Sequence, residues 1–443
     1  LDQPVTNENE IALFINFVRQ EPTTAYTASN TTLTLSSATS ASDDMYCIFL
    51  GKALQTVNPP ANSVGSSQLA DNAVTSAKLA SGAVPNQSAF KNLVINGDMS
   101  IAQRGTSAAT LGHATYNSVD RWSQNRTGTL AFTGERSTDA PDGFDYSYKI
   151  SCTTAEASLA ASSRMMPLTR IEDSNLGYLK FGTSSAVDLT MSFHVKSNKT
   201  GTYQINLWHN NVSGYISGTY AISSANTWEK KTIVFKGDQG TAMGNDAGIA
   251  LQLEFVLAGG SNYTGGTLVP NTTTTYPSYV ANTRATAQTV NLADSTSNTW
   301  QITGLQLEVG SAASDFEFLP VDVNKRRCYR YYYRINFGGG LKYVGFGQVD
   351  NDDQNMPAIC NVFPEQMRTA PTALEQSGTA SDYKVREAGT YNCTSVPTFN
   401  NASTWNATVT FKRSGITSSN GFAQGELLKC GGTGGYLGWS AEL

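Results

Sequence analysis

Charge is scarce in this 443-residue chain: Asp, Glu, Lys and Arg together make up 15%, against ~25% in ordinary soluble domains. Its surface must then be built from Ser, Thr, Asn and Gly, a composition that suits Thr-rich strands joined by Gly/Asn turns. Basic residues number 30 and acidic ones 35, a net charge of −5 that argues against nucleic acid as a partner. No apolar run approaches the ~18 residues that span a bilayer, so no membrane insertion is expected. Histidines number three, His113, His194 and His209, and HExxH, GxSxG and GxxxxGK[ST] patterns are missing. The chain is therefore expected not to be an enzyme. The six cysteines (Cys47, Cys152, Cys328, Cys360, Cys393 and Cys430) form no CxxC pair and no zinc spacing. Buried free thiols are expected, with no metal and no cofactor. The acidic stretch VDNDDQN (Asp350, Asp352, Asp353) lacks the Gly and terminal Glu of a calcium loop and reads as a surface turn. No long amphipathic helix is evident.

What the chain does have is a beat. In SVGSSQLADNAVTSAKLASGAV, Val64, Leu69, Val74, Leu79 and Val84 fall every five residues, with Val and Leu alternating. On an α-helix a step of five turns about 500°, so these residues drift by about 140° and form no stripe. A coiled coil needs a spacing of 3.5, and on a strand the valines and leucines would face opposite sides. One copy cannot bury its own apolar residues. Several identical chains side by side can, because each covers the Val and Leu of its neighbours.

Four regions follow along the chain. Residues 1–57 read as a small domain of short strands or a short helix (IALFINFVRQEP, TTLTLS, MYCIFLGKALQTV). Residues 58–91 hold the repeat, stiffened at its entry by Pro59-Pro60. Residues 92–320 alternate as half-buried strands do. Leu189, Met191, Phe193 and Val195 face one way, as do Tyr203, Ile205 and Leu207, then Leu251, Leu253, Phe255 and Leu257, then Leu305, Leu307 and Val309. Many such strands between turns predict a jelly-roll β-sandwich. Residues 321–443 form a second β unit that opens with the basic junction KRRCYRYYYR, whose tyrosines are expected to pack along a strand and whose arginines are expected to pair across subunits. Leu1 stands where Met would start a chain, so further residues are expected upstream.

Strand parity also nominates a site. If Ile205 and Leu207 face the core, then Gln204, Asn206 and Trp208 share the opposite face. Gln252 and Glu254 hold the same face of a later strand, as do Gln306 and Glu308. An indole among amides and a carboxylate suits a pyranose ring, which offers an apolar C–H face and a ring of hydroxyls. Trp405, Trp439 and Tyr436, near turns in the last region, are second candidates.

NLVINGDMSIAQRG, DRW and GLQLEVGSAASDFEFLPVDVNKRRCYRYYYR together resemble the tail-fibre proteins of bacteriophages, and the front half resembles fibres of marine podoviruses. The NGD…QRG and LQLEVG pieces mark a jelly roll that resembles carbohydrate-binding modules. The resemblance implies an all-β, elongated homotrimeric fibre. Its parts are an attachment or shaft domain, a trimeric neck carrying Val64, Leu69, Val74, Leu79 and Val84, a carbohydrate-binding-like jelly roll and a C-terminal β tip. It implies a subunit of the virion, on the phage tail, bound through its N-terminal side to tail or head proteins. Its receptor would be a host-surface polysaccharide or lipopolysaccharide. A head fibre or decoration protein would share these modules. A polysaccharide-depolymerising tailspike would need the even rungs of a parallel β-helix, and none are visible.

Overall fold

The computed structural model describes residues 1–50, 69, 90–336, 342–348, 355–386, 390–412, 425–430 and 434–443. The chain is all-β, with one α-helix among the described residues. It divides into two compact units, Leu1–Lys78 and Leu79–Leu443. Val64, Val74, Leu79 and Val84 of the repeat and Asp350, Asp352 and Asp353 lie outside the described residues, whereas Leu69 is described and exposed.

In the first unit β1 (Ile11–Ile15) turns back into β2 (Val18–Arg19), and β3 (Tyr26–Ser29) forms a hairpin with β4 (Thr32–Leu35). Asn30 takes the left-handed backbone at that two-residue turn (φ 54°), as Asn tolerates. The last strand, β5 (Met45–Phe49), returns to pair with β1. Val5, Ile11, Leu13, Tyr26 and Ala28 fill a small core, and the Tyr26 hydroxyl donates to the Ile11 carbonyl at 2.9 Å.

The second unit is built on a two-sheet sandwich. Its strands are β6 (Ala109–Thr110), β7 (Trp122–Thr127), β8 (Ala131–Ser137), β9 (Ser147–Thr154), β10 (Arg164–Glu172) and β11 (Leu189–Ser197), followed by β12 (Gly201–His209), β13 (Gly214–Ile222), β14 (Glu229–Phe235), β15 (Ile249–Phe255), β16 (Ala258–Gly259) and β17 (Thr299–Val309). One sheet runs β14-β11-β17-β9-β8-β6. The other runs β13-β12-β15-β10, with β16 and β7 also on β10. Successive strands pass back and forth between the sheets, the habit of a jelly roll. The alternation read from sequence holds: Leu189, Met191, Phe193 and Val195 meet Tyr203, Ile205, Leu207, Leu251, Leu253, Phe255 and Leu257 in one core. Each such side chain contributes roughly 1.5–3 kcal/mol by leaving water.

Strand β17 departs from simple alternation. Trp300 and Ile302 face the core, and so do Leu305 and Leu307, so parity switches between them. The cause is a bulge opposite Phe193, where the register against β11 shifts between Ser192 and His194. Gly304 supplies the required left-handed backbone (φ 61°), and a Cβ there would meet the Phe144 ring at 2.6 Å. Val309, expected inward, is 44% exposed as the last residue of the strand, where it pairs with Leu189.

The sequence motifs converge at one end of this sandwich. The Asn92 carboxamide donates to the Leu305 carbonyl and accepts from the Leu307 amide, both at 3.0 Å, which ties NLVINGD to GLQLEVG. Gln103 donates from its amide (2.8 Å) and its side chain (2.6 Å) to Asp120 of DRW. Burial raises the Asp120 carboxyl to about 6, against the Gln103 hydrogen bonds and the charge of Arg104.

Residues beyond the sandwich are sewn to it. The junction is not a single strand: α1 (Val321–Tyr329) is helical, and β18 (Tyr332–Asn336) follows it to pair with the strand Tyr436–Ser440. Its arginines find partners within this chain. Arg330 donates to the Glu172 carboxylate at 2.8 Å, and Tyr331 donates to the same group at 2.7 Å. Arg104 lies over the Tyr332 ring at 3.4 Å and Arg121 over the Tyr331 ring at 3.5 Å. Both arginines pair with Glu442, whose side chain is 4% exposed. Arg368 holds the same tail through the carbonyls of Ala441 and Glu442, each at 2.8 Å. Cys47, Cys152, Cys328 and Cys393 are free thiols.

Candidate functional site

The outer face of β12, β15 and β10 carries the residues that parity nominated, and the chain covers most of them. Between β16 and β17 runs a long connection with 3-10 turns and no strand of its own, and its segment 281–288 lies across that face. Gln204 donates to the Asn206 side chain (2.8 Å) and accepts from the Ala287 amide (2.8 Å). Asn206 donates to Glu254 and to the Arg284 carbonyl, both at 3.0 Å, and accepts from Ser217 at 2.7 Å. Arg284 donates to Glu254 from Nε at 2.8 Å and again from Nη2. Gln204, Asn206 and Glu254 are completely buried, so they form a floor and do not reach the surface. Burial works against the Arg284 charge, and the adjoining Glu254 carboxylate more than restores it.

Trp208 stands where that floor opens. It pairs across the sheet with Tyr215 on one side and Gln252 on the other. Its half-buried ring lies 4.5 Å from the Tyr215 ring and 5.4 Å from that of Tyr279. The Arg284 guanidinium sits 5.2 Å from the indole centroid, within cation–π range. Burial raises the Tyr215 hydroxyl to about 12, and it bonds Thr283 at 2.6 Å. These contacts hold Trp208 as the wall of a cleft of about 330 Å³, which Gln252, Tyr279, Arg284 and Arg170 also line. Arg170 donates from Nε to Gln252 at 3.0 Å and from Nη1 to the Leu443 carbonyl oxygen.

Three polar atoms around this cleft are buried and have no partner among the described residues: Trp208 Nε1, Asn210 Nδ2 and Gln124 Oε1. Two are donors and one is an acceptor. Buried polar groups are nearly always satisfied, and these three atoms belong to residues that line the cleft.

Of the nominated residues, the structure brings Trp208 and Gln252 to the cleft and sets Gln204, Asn206 and Glu254 beneath it. Gln306 and Glu308 lie on the other sheet, buried and bonded to each other at 2.9 Å. Trp439 is fully buried in the carboxy-terminal core, which removes it as a ligand platform, while Trp405 is exposed. His194 is packed beside Phe144, and burial lowers its pKa. Strand reading missed Tyr279, Arg284, Asn210 and Gln124. A signal for the first two exists in the length of TTTTYPSYVANTRA and its flanks, since long loops in compact domains tend to be functional. Among the described residues no group of three or more His, Cys, Asp or Glu is placed to hold a metal.

No family model and no curated protein matches the sequence. Among solved structures, the chain is similar to the enzymatically active domain of tailspike protein 4 of bacteriophage CBA120, at 13% identity and a TM-score of 0.26. That match covers 50% of this chain but 22% of the tailspike chain. It is also similar to a CBM4 module (12% identity, TM-score 0.26, 48% of this chain and 98% of that one). A third likeness is the family 11 carbohydrate-binding module of Clostridium thermocellum in complex with a β-1,3-1,4-mixed-linked tetrasaccharide (11% identity, TM-score 0.24, 47% and 99%). Likeness at this level carries no argument about what this chain binds.

Proposed function

We propose that the chain is a homotrimeric fibre subunit of a bacteriophage virion, that it attaches the particle to its bacterial host by binding a surface glycan, and that it does not cleave that glycan. One observation carries the glycan reading: the cleft where the Trp208 and Tyr279 rings meet unsatisfied polar atoms of Trp208, Asn210 and Gln124. Aromatic rings cover the C–H face of a sugar, and amide and indole groups bond its hydroxyls. The virion and trimer parts rest on the Val/Leu repeat and on the resemblance of the NGD…QRG and LQLEVG motifs to tail fibres.

Trp208→Ala should weaken binding to host-derived glycan by ~2 kcal/mol, about 30-fold, measured by calorimetry on extracted polysaccharide. Because the indole packs on Tyr215, Tyr279→Ala serves as a companion variant that trims a more exposed ring. Unchanged affinity in both variants would remove the cleft from consideration, and release of reducing ends by the unaltered chain would overturn the non-catalytic part. Mass measurement in solution should give three chains per particle. A folded monomer at micromolar concentration would sink the trimer.

A further inference from the structure

The cleft at Trp208 does not end at its own walls. Arg170 of β10 lines it on one side and a second cavity of about 680 Å³ on the other. Tyr279 likewise separates it from a shallower cavity of about 630 Å³ beside Ser261, Asn262 and Tyr263. Three hollows therefore share dividing walls, as successive subsites for one extended chain would.

The 680 Å³ cavity is basic. Arg170, Arg327 and Arg330 line it against one carboxylate, Glu172. Glu172 is committed to Arg330 and to the Tyr331 hydroxyl, and of the three arginines Arg330 alone has an ion-pair partner among the described residues. Arg327 is half-buried; its Nη2 donates to the Asn92 carbonyl at 3.3 Å, and burial works against its charge more strongly than the Glu317 carboxylate supports it. A partly desolvated guanidinium with no carboxylate in ion-pair contact gains when an anion meets it. Tyr178, exposed on the rim, adds an aromatic face of the kind a sugar covers.

We infer that the ligand is an acidic polysaccharide, lying from the Trp208 cleft past Arg170 into the basic cavity, with a carboxylate or phosphate group on Arg327 and Arg170. This rests on the reading of the Trp208 cleft as a glycan site. Planar guanidinium groups recognise both anions through paired N–H donors.

The test is a panel of immobilised bacterial polysaccharides, comprising neutral, uronate-bearing and phosphate-bearing members, each probed with the full chain at 50 and 500 mM NaCl. Binding should be confined to charged members and fall at high salt. Carboxyl-reduced uronate polymers separate a carboxylate ligand from a phosphate one. Arg327→Gln, which keeps an amide donor toward Asn92, should lower affinity for the charged ligand roughly tenfold or more, the size of one charge-assisted hydrogen bond. Tyr178→Ala, on an exposed ring, should weaken the same ligand without changing the melting temperature. Binding confined to neutral glycans, lost in Trp208→Ala and unchanged in Arg327→Gln, would overturn the acidic ligand and leave the cleft standing. Binding that both Trp208→Ala and Tyr279→Ala leave intact would overturn the cleft itself, and with it the extended path.

Discussion

Glu442→Gln is expected to destabilise the second unit by about 3–5 kcal/mol, the range for breaking a buried ion pair from one side. The carboxylate is shared by Arg104 and Arg121, themselves almost wholly buried and each lying over a tyrosine ring. Gln keeps the shape and removes the charge, so two guanidinium groups lose their counter-ion inside the protein; Glu375, 3.4 Å from Arg104, compensates only that one. Denaturant unfolding of the variant and the unaltered chain gives the difference directly, and a loss below about 1 kcal/mol would show that the pair matters little. The same cluster should leave a mark on the pH profile. The Asp120 carboxyl is raised from 3.8 to about 6 in the fold, chiefly by burial. Its contribution is therefore fully present below pH 3.8 and is lost as pH rises through about 6. Glu442 is one of the charges holding it up, so the variant should show a narrower window.

Glu254→Gln is expected to cost a similar ~3–5 kcal/mol and to abolish glycan binding as well. Glu254 is completely buried and holds Arg284 through two nitrogens, while Asn206 donates to the same carboxylate. Without the charge, the Arg284 guanidinium has to leave its buried place, and segment 281–288 loses its anchor on β15. Trp208 then loses the cation beside its ring and Tyr279 its position. Trp208→Ala should behave differently, reducing binding with a much smaller change in unfolding free energy. A Glu254→Gln variant that binds glycan with native affinity would separate the floor from the cleft and refute the link between them.

The sandwich was legible because period-two alternation is a direct consequence of strand geometry. Leu189 through Val195 and Tyr203 through Leu207 needed no tertiary information to be assigned a face. Gly304 was the exception: one bulge inverted the parity of half of β17, and nothing in GLQLEVG alone marks that glycine as left-handed. The same parity placed Gln204, Asn206 and Trp208 together, and they do share a face. Parity cannot say what covers a face, however, and here a distant loop seals all but the indole. The resemblance motifs had the opposite fate. NGD, QRG, DRW and LQLEVG marked a jelly roll by resemblance alone, and what the residues do there is local: Asn92 bonds Leu305, and Gln103 bonds Asp120. They hold the fold closed. Arg104 and Arg121 could not be matched to Glu442 from sequence, because pairing across such a separation is visible only once the sheets are in place.

That separation bears on synthesis. Arg104 and Glu442 lie 338 positions apart, and a ribosome adding ~5–20 residues per second covers such an interval in roughly 20–70 s. From the completion of β17 at Val309 until residue 442 is added, the sandwich strands can be complete while Arg121 waits for a partner that has not been translated. A chain interrupted before residue 442 would stay in that condition permanently, giving proteases a lasting means to tell it from a finished one.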